Sequence, residues 1–217
     1  MLSQGDIVER YVVEDVIGVG GMATVYSVKH RVLGSRHALK VLRNVTDELA
    51  ASFINEGRIQ ARLDPEYVIP VTDVLVVEDA PALIMPLVLG CSLADVLGIY
   101  QPTQAEVGAL LHAVAAGISS AHRIGIIHRD LKPSNVLLDV KHGRVRARVA
   151  DFGLARQPDD MQANPDLFMG TPEFAAPEQF TSPHAVDLRT DIWALGAVLI
   201  RLLTGNPPFG GGTPRDV

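Results

Sequence analysis

The sequence predicts an α+β protein with two lobes, a strand-rich N-terminal part followed by a helix-rich C-terminal part. Two observations lead to this prediction. Up to about residue 90 the apolar residues fall in short β-rich runs separated by turn residues, whereas beyond residue 90 they recur at helical spacing. We place the boundary near Val88, so that residues 1–88 form the first lobe and residues 89–217 the second.

The first lobe is predicted to be a sheet with a single helix. The helix is expected over residues 47–63, with Leu49, Phe53, Ile59 and Leu63 along one side. Five runs have the composition of strands: YVVEDVIGV, TVYSVKH, RHALKVL, VIPVTDVLVV and PALIMPLVL.

The second lobe is predicted to contain two long helices. The first follows Thr103, a residue that can cap a helix, and continues to Ala121. Two strand-like pieces, VLL and RVRARVAD, come next and flank a turn at His142–Gly143. The second helix is expected over residues 189–204, with these apolar side chains: Ile192, Trp193, Leu195, Leu199 and Leu203.

The composition excludes several classes of function. Hydrophobic residues make up 47% and charged residues 20%, as in soluble globular proteins. A net charge of −6 disfavours nucleic-acid binding, which normally requires a basic face. The N-terminus has no apolar core and is not a signal peptide, and Arg201 interrupts the most apolar helix before it reaches membrane-spanning length. The single cysteine, Cys91, is expected to be a buried hydrophobic residue in a reducing compartment, which predicts a cytoplasmic protein.

A glycine-rich run, GVGGMATVY, covers residues 18–26 between two predicted strands. Glycines allow backbone N–H groups to approach a ligand closely, and such loops cover phosphates. Ala23 replaces the third glycine of a G-x-G-x-x-G pattern and no helix follows, which disfavours a dinucleotide-binding fold. On its own the run is equally consistent with nucleotide binding and with an ordinary hairpin turn.

Lys40 lies in the apolar strand HALKVL, where an unpaired inward-facing ammonium group would be costly to bury. Glu56 on the predicted helix is an available partner, because it falls on the same side as Phe53 and Ile59. The alternative is a surface lysine whose aliphatic stem lies along the sheet.

The run IIHRDLKPSNVLL, residues 126–138, crowds polar side chains between two apolar stretches. Phosphoryl transfer needs a carboxylate to accept the proton of the attacking hydroxyl and oxygen ligands for the metal ions on the phosphates. Asp130, Asn135 and the Asp151 of DFG supply that set, and Lys132 is available to steady the phosphoryl group. The fixed spacing of HRDxKxxN disfavours the alternative, a solvated charged turn.

The order of these motifs resembles that of the eukaryotic-like protein kinases. The sequences GVGGMATVY and GTPEFAAPEQ are most similar to those of the bacterial Ser/Thr branch. APE (176–178), DIWALG (191–196) and GNPPF (205–209) extend the match, which covers about residues 10–210. The resemblance implies a bilobal fold, with an antiparallel N-terminal sheet plus one helix and a mainly helical C-terminal lobe that lacks its last helices.

The resemblance also implies ATP and Mg²⁺ (or Mn²⁺) as cofactors and assigns roles by position. Asp130 would be the catalytic base, Asn135 and Asp151 the metal ligands, and Lys40, paired with Glu56, a ligand of the α- and β-phosphates. Val25, Ala38 and Leu137 would enclose the adenine, Met85 would be the gatekeeper, and Pro86 to Val88 would be the hinge. The full ATP-binding set would be Ile17, Gly18, Gly20, Gly21, Val25, Ala38, Lys40, Met85, Pro86, Val88 and Leu137.

Further residues are implied in regulation and substrate docking. Lys132 together with Thr171 indicates Ser/Thr acceptors. Arg129 is the arginine that binds an activation-loop phosphate in many kinases, but residues 154–170 contain no Ser, Thr or Tyr. We therefore expect an acidic residue, most simply Asp166, to hold Arg129, with solvated loop acids as the alternative.

The large lobe is expected to be short for this family. The Glu178 of APE has only Arg189, Arg201 and Arg215 as later basic residues, and none falls where the family places its arginine partner. This predicts either a fragment of a longer protein or a lobe that needs a partner.

Two functions stay open at this point: a Ser/Thr protein kinase, and a truncated nucleotide-binding interaction module without turnover. A small-molecule kinase is disfavoured, because GTPEFAAPE resembles a peptide-docking loop. The expected partners are ATP and proteins with Ser or Thr acceptors, with no nucleic acid and no membrane segment in this chain. The sequence makes no prediction of the oligomeric state.

Overall fold

A computed structural model describes residues 1–141, 143–152, 171–182 and 185–209. The chain divides into two compact units. The first comprises Met1–Arg62 and Ile69–Val88, and the second comprises Leu63–Val68 and Leu89–Val217. The short segment Leu63–Val68 thus packs in the second unit, although it lies in sequence between the two parts of the first.

The first unit is built around a six-stranded antiparallel sheet. Its strands are β1 (Ile7–Val8), β2 (Tyr11–Val19), β3 (Ala23–His30), β4 (Arg36–Leu42), β5 (Asp73–Val77) and β6 (Ala80–Pro86). The order across the sheet is β1-β2-β3-β4-β6-β5. Strands β2 and β4 coincide with two of the predicted runs. Strand β5 begins only at Asp73, because the first half of VIPVTDVLVV, although largely buried, runs outside the sheet.

Helix α1 (Asp47–Gln60) is the helix predicted for this unit. The Thr46 side chain caps it by accepting a hydrogen bond from the Leu49 N–H, which satisfies one free donor of the first turn. Its buried face includes Phe53, Glu56 and Ile59. The helix ends at Gln60 rather than at residue 63, and Leu49 is exposed rather than buried.

The second unit combines a three-stranded antiparallel sheet with helices. The strands are β7 (Gly90–Ser92), β8 (Val136–Lys141) and β9 (Arg144–Val149), in the order β7-β8-β9. The helices are α2 (Leu93–Leu97), α3 (Gln104–His122), α4 (Pro177–Thr181) and α5 (Leu188–Thr204). Thr103 caps α3 as predicted, in a reciprocal arrangement with Glu106. Cys91 is exposed rather than buried, because β7 is an edge strand.

Helix α5 buries few of the large apolar residues that defined the predicted helix. Its buried apolar residues are Ala194, Ala197, Val198 and Leu202. Three of the apolar residues named in the prediction, Ile192, Trp193 and Leu203, are exposed. The helix is apolar on more than one side, so the helical period did not distinguish the packed face. No helix in the described ranges is both long and apolar enough to cross a bilayer.

The segment Leu63–Val68 is held in the second unit by backbone pairing. The Val149 N–H donates to the Tyr67 carbonyl at 2.8 Å, and Val68 forms an isolated parallel bridge with Val149. Leu63 and Val68 are buried. The hydrogen bonds and the burial together explain why this segment belongs with β9.

Gly90 lies where β7 approaches β8, and an added Cβ would come within 1.8 Å of the Leu138 carbonyl oxygen. Since that neighbour is backbone, we expect Gly90→Ala to lower the free energy of unfolding by about 2–4 kcal/mol. Urea denaturation followed by circular dichroism measures it. The matched control is Gly108→Ala in α3, where an added Cβ meets nothing within 4 Å and a stabilisation of about 0.5–1 kcal/mol is expected. Equal stability of the Gly90→Ala variant and the parent chain would contradict the close approach.

Candidate active site

The catalytic-loop residues 128–135 start from a buried histidine. His128 is fully buried; its Nε2 lies 3.4 Å from the Ala150 carbonyl, and its ring centroid lies 4.6 Å from that of Phe152. The Asp130 N–H donates to His128 Nδ1 at 3.3 Å. His128 therefore links the loop to the segment that carries Asp151.

Asp191 anchors the backbone of the same loop from helix α5. Its carboxylate is fully buried and accepts the N–H groups of His128 and Arg129, both at 2.9 Å. His122 Nε2 lies 2.8 Å from the same carboxylate. Arg129 has a φ of 68°, a left-handed conformation that is uncommon for a side-chain-bearing residue. The two hydrogen bonds hold this strained backbone in place.

Sequence reasoning did not find this anchor. DIWALG was used only as a motif that extends the resemblance, and no role was assigned to its aspartate. The available signal was a carboxylate directly before the apolar run that starts at Ile192, since buried charges are rare unless they are paired.

Asp130, Lys132 and Thr171 form a triangle of hydrogen bonds. Lys132 Nζ lies 2.7 Å from Asp130 Oδ2 and donates to Thr171 Oγ1 at 2.7 Å. The Thr171 hydroxyl donates to Asp130 Oδ1 at 3.0 Å. The structure thus brings Thr171 beside two loop residues that precede it by 41 and 39 positions, and it leaves the Asp130 carboxylate fixed beside a cation.

Asn135 and Asp151 carry the oxygen atoms that suit a divalent cation. Asn135 Nδ2 donates to the Asp130 carbonyl at 2.8 Å, which leaves the amide oxygen for another partner. The Ala150 N–H donates to the Asn135 carbonyl at 2.8 Å, so the residue before Asp151 is tied to Asn135. Asp151 itself has a φ of 62°.

This donor set fits a magnesium ion. Mg²⁺ is usually held by one or two protein oxygen ligands together with waters and substrate phosphates, rather than by a cage of side chains. In keeping with that, the described residues include no group of three or more His, Cys, Asp or Glu placed to hold a metal. The Asn135 amide oxygen and the Asp151 carboxylate would be the ligands that the protein contributes to such a site.

In the first unit, Lys40 of β4 meets Glu56 of α1. Lys40 Nζ donates to Glu56 Oε1 at 2.7 Å, with the lysine side chain 17% and the glutamate side chain 7% exposed. The Lys40 ammonium also lies 5.6 Å from the centroid of the Phe53 ring. The geometry matches the pairing expected from the sequence, and Lys40 is not a snorkelling surface residue.

The strand register gathers the residues predicted around the nucleotide in this unit. Val25 lies opposite Lys40, and Ala38 lies opposite Met85. Directly paired residues share a face and so do residues two apart on a strand, so these four side chains lie on one face of the sheet. Leu137 belongs to the second unit, where it lies on β8.

The glycine-rich loop closes a tight turn in which the Gly20 N–H donates to the Ala23 carbonyl at 2.9 Å. An added Cβ on Gly21 would meet nothing within 4 Å, so the protein's own packing does not require glycine there. Ala23 is buried in a core cluster with Leu42 and Phe53. It therefore belongs to the core rather than to the tip of the loop, which explains the departure from the glycine pattern.

The remaining predicted nucleotide-binding residues lie on β2 and at the end of β6. Ile17 is exposed on β2, Gly18 lies further along the same strand, and Pro86 and Val88 are half-buried at and after the end of β6. Asp166, the expected partner of Arg129, lies outside the described residues.

Glu178 has a hydroxyl partner that the sequence analysis did not foresee. Thr190 Oγ1 donates to Glu178 Oε1 at 2.7 Å, and Thr190 is fully buried. The next residue, Gln179, donates to the Arg129 carbonyl at 2.8 Å and accepts the Ala176 N–H at 2.9 Å. The APE segment is thereby bonded both to α5 and to the catalytic loop.

The Lys40–Glu56 pair gives a testable stability prediction. We expect Lys40→Met and Glu56→Gln each to lower the free energy of unfolding by about 3–5 kcal/mol, because each leaves a largely buried charge without this partner. The double variant should lose less than the sum of the two, which thermal or urea unfolding would measure. Lys29→Met, at an exposed position of β3, is the matched control and should change stability little. Strict additivity would contradict a direct interaction.

The first unit is an antiparallel sheet with one helix, and it presents a Lys–Glu pair. The second unit presents an Asp–Lys–Thr triangle and an Asn/Asp pair. These features together define a protein kinase. The chain belongs to the protein kinase domain family, whose model matches residues 11–216. The predicted α+β kinase fold is thus confirmed. Members of this family use ATP with a divalent metal ion and act on proteins.

Relatives with curated names are bacterial kinases. The chain is 36% identical over 216 residues to serine/threonine-protein kinase pkn2 of Myxococcus xanthus, covering 95% of this chain and 26% of that protein. It is 37% identical over 216 residues to the DNA damage-responsive serine/threonine-protein kinase RqkA of Deinococcus radiodurans, covering 96% of this chain and 32% of that protein. The chain therefore spans about a quarter to a third of the length of these relatives.

A solved structure shows the same fold. The kinase domain of PknI from Mycobacterium tuberculosis superposes with a TM-score of 0.75 at 31% identity, covering 96% of this chain and 79% of that one. The similarity to named Ser/Thr kinases agrees with the bacterial Ser/Thr branch that the motifs indicated.

Proposed function

We propose that this chain is the catalytic domain of a Ser/Thr protein kinase, which transfers the γ-phosphoryl group of ATP to Ser or Thr hydroxyls of protein substrates. The observation that carries the proposal is the triangle of Asp130, Lys132 and Thr171. A carboxylate held by a hydroxyl group on one oxygen and by an ammonium group on the other is suited to a transfer to a hydroxyl acceptor.

The proposed chemistry follows from the positions of these groups. Asp130 accepts the proton of the substrate hydroxyl as its oxygen bonds to the γ-phosphorus and the bond to the β–γ bridging oxygen breaks, releasing ADP. Lys132 neutralises negative charge that develops on the phosphoryl oxygens. Thr171, bonded to both, keeps the carboxylate and the ammonium group at a constant separation.

The nucleotide and the metal ion are assigned to the residues predicted for them. We assign Asn135 and Asp151 as ligands of Mg²⁺, which would shield the phosphate charge when bound, with Mn²⁺ as the substitute ion. Lys40, oriented by Glu56, is assigned to the α- and β-phosphates. The first unit corresponds to the proposed N-lobe and the second to the proposed C-lobe. We further propose a cytoplasmic location, where ATP is available.

The alternative, a nucleotide-binding module without turnover, has less support. Each described position that the chemistry needs is occupied by a residue of the required type: Lys40, Glu56, Asp130, Lys132, Asn135 and Asp151. In the second unit, the Asp–Lys–Thr triangle is already formed.

The test is transfer of labelled phosphate from ATP to a basic protein rich in Ser and Thr, with Mg²⁺ or Mn²⁺, followed by phosphoamino-acid analysis. Phosphoserine or phosphothreonine is the expected product. A thermal shift with Mg²⁺-ATP measures binding in parallel. Binding without transfer would overturn the proposed activity and favour the non-catalytic module.

A further inference from the structure

The hairpin formed by β8 and β9 carries several basic side chains on one of its two faces. The strand register pairs Lys141 with Arg144 and Asp139 with Arg146. Directly paired residues share a face, and so do residues two apart on a strand, so Lys141, Arg144 and Arg146 lie on the same face. All three residues are exposed. We call these three residues the basic face of the hairpin.

The opposite face of the hairpin is the packed one. A Cβ added to Gly117 of α3 would meet Val149 Cγ2 at 3.0 Å, so helix α3 lies against Val149. Ala147, two residues before Val149 and therefore on the same face, is also buried. Antiparallel sheets commonly pack one face on the core and leave the other to solvent. The basic face is thus on the solvent side of the sheet.

The acid that lies among these cations is already engaged. Asp139 is directly opposite Arg146, but its carboxylate forms an ion pair with Arg148. Both side chains of that pair are only 13% exposed. Among the described residues no carboxylate lies within ion-pair distance of Lys141, Arg144 or Arg146. The three positive charges of the basic face are therefore not neutralised by the part of the chain that the structure describes.

This arrangement carries a cost for the hairpin. Lys141 and Arg144 are directly opposite each other, and like charges at directly opposite positions destabilise a pair of strands. The chain as a whole has a net charge of −6, so a local group of cations does not follow from a basic composition. An anionic partner on this face would relieve the repulsion.

The spacing of the two arginines indicates what kind of anion fits. Arg144 and Arg146 are two residues apart on an extended strand, so their Cα atoms are separated by about 6.6 Å. Side chains at alternate positions of an extended peptide have the same separation and also lie on one face. Such a peptide can set one carboxylate beside each guanidinium group, which binds carboxylates through two parallel N–H donors.

We propose that the basic face docks an extended segment of a partner protein that carries Asp or Glu at alternate positions. A membrane or a nucleic acid is a poorer fit, because either one presents a broad anionic surface that the net charge of −6 opposes beyond these three residues. The inference goes beyond the proposed phosphoryl transfer and does not depend on it.

The test uses the full chain and two fluorescein-labelled peptides of identical composition. The alternating peptide has Glu at every second position and Thr between, whereas the paired peptide has the same Glu and Thr residues as adjacent pairs. Fluorescence anisotropy at low ionic strength measures the dissociation constants. The alternating peptide is expected to bind about threefold or more tightly, because only it places consecutive acids on one face. Added salt should weaken its binding.

Variants of the basic face locate the binding. Arg144→Glu combined with Arg146→Gln is expected to weaken binding of the alternating peptide about tenfold. Arg144→Glu also places a carboxylate opposite Lys141, so the melting temperature of this variant should not fall. The matched control, Lys29→Glu combined with Arg31→Gln, changes two exposed cations with the same sequence spacing in the first unit and should leave binding unchanged.

Three outcomes would overturn the proposal. The first is equal affinity for the alternating and the paired peptide. The second is equal affinity of the alternating peptide for the parent chain and for the basic-face variant. The third is binding of the parent chain to phosphatidylglycerol vesicles but to neither peptide, which would indicate a membrane surface. ATP is absent from all of these measurements, so the proposed kinase activity is tested separately.

Discussion

Replacement of Asp130 by asparagine is expected to reduce phosphoryl transfer by about 10²–10⁴-fold, the usual contribution of a general base. The amide keeps the size of the side chain but cannot accept the proton of the substrate hydroxyl. It also removes the negative charge that Lys132 contacts at 2.7 Å. Initial rates with labelled ATP measure the effect, and turnover should fall far more than the affinity for Mg²⁺-ATP, because Asp130 is not assigned to the nucleotide.

A matched control separates this chemical effect from damage to the fold. Asp79→Asn makes the same change at an exposed turn where the backbone has a φ of 67°, a conformation that asparagine tolerates well. We expect parental activity and an unchanged melting temperature for that variant. If Asp130→Asn kept more than about a tenth of the parental rate, Asp130 would not be the base.

Replacement of Asp191 by alanine is expected to affect both stability and activity. The buried carboxylate accepts the N–H groups of His128 and Arg129, and its removal leaves one buried and one partly buried donor without that acceptor. Each unsatisfied group costs about 1–3 kcal/mol, so we expect the free energy of unfolding to fall by about 3–5 kcal/mol. Phosphoryl transfer should fall as well, because the strained backbone of Arg129, next to the base, loses its anchor.

Two comparison variants make this prediction sharp. Asp187→Ala removes the side chain that caps the same helix at an exposed position, so it should cost only about 1 kcal/mol and leave transfer unchanged. Asp191→Asn retains one acceptor oxygen and should fall between the parent and the alanine variant. Equal stability of Asp191→Ala and Asp187→Ala, measured by urea unfolding, would rule out the anchoring role.

The chemistry-bearing residues could be predicted because their pattern is local. HRDLKPSN places Asp130, Lys132 and Asn135 within one short run, and strand alternation was enough to delimit β2 and β4. Lys40 and Glu56 could be paired because each lies among apolar neighbours on its own element, so that an unpaired charge would be costly at either position.

Contacts between distant segments could not be predicted in this way. The Asp191 carboxylate accepts a hydrogen bond from the catalytic loop, and the Thr190 hydroxyl donates one to Glu178. Both bonds exist only in the packed fold. The buried face of α5 could not be identified from its apolar residues, because that face carries small and polar residues such as Thr190 and Ala194 while larger apolar residues are exposed. Cys91 was misjudged because its exposure depends on β7 being an edge strand, which is a property of sheet order.

The placement of Leu63–Val68 in the second unit has a consequence for how the chain folds during synthesis. This segment leaves the ribosome long before Val149, its bridge partner, exists. Until then the buried side chains of Leu63 and Val68 have no strand to cover them, and closing the intervening loop carries an entropic cost. Residues 1–88 expressed alone should therefore expose the apolar side chains of this segment, and during synthesis the segment should remain without its backbone partner until β9 has emerged.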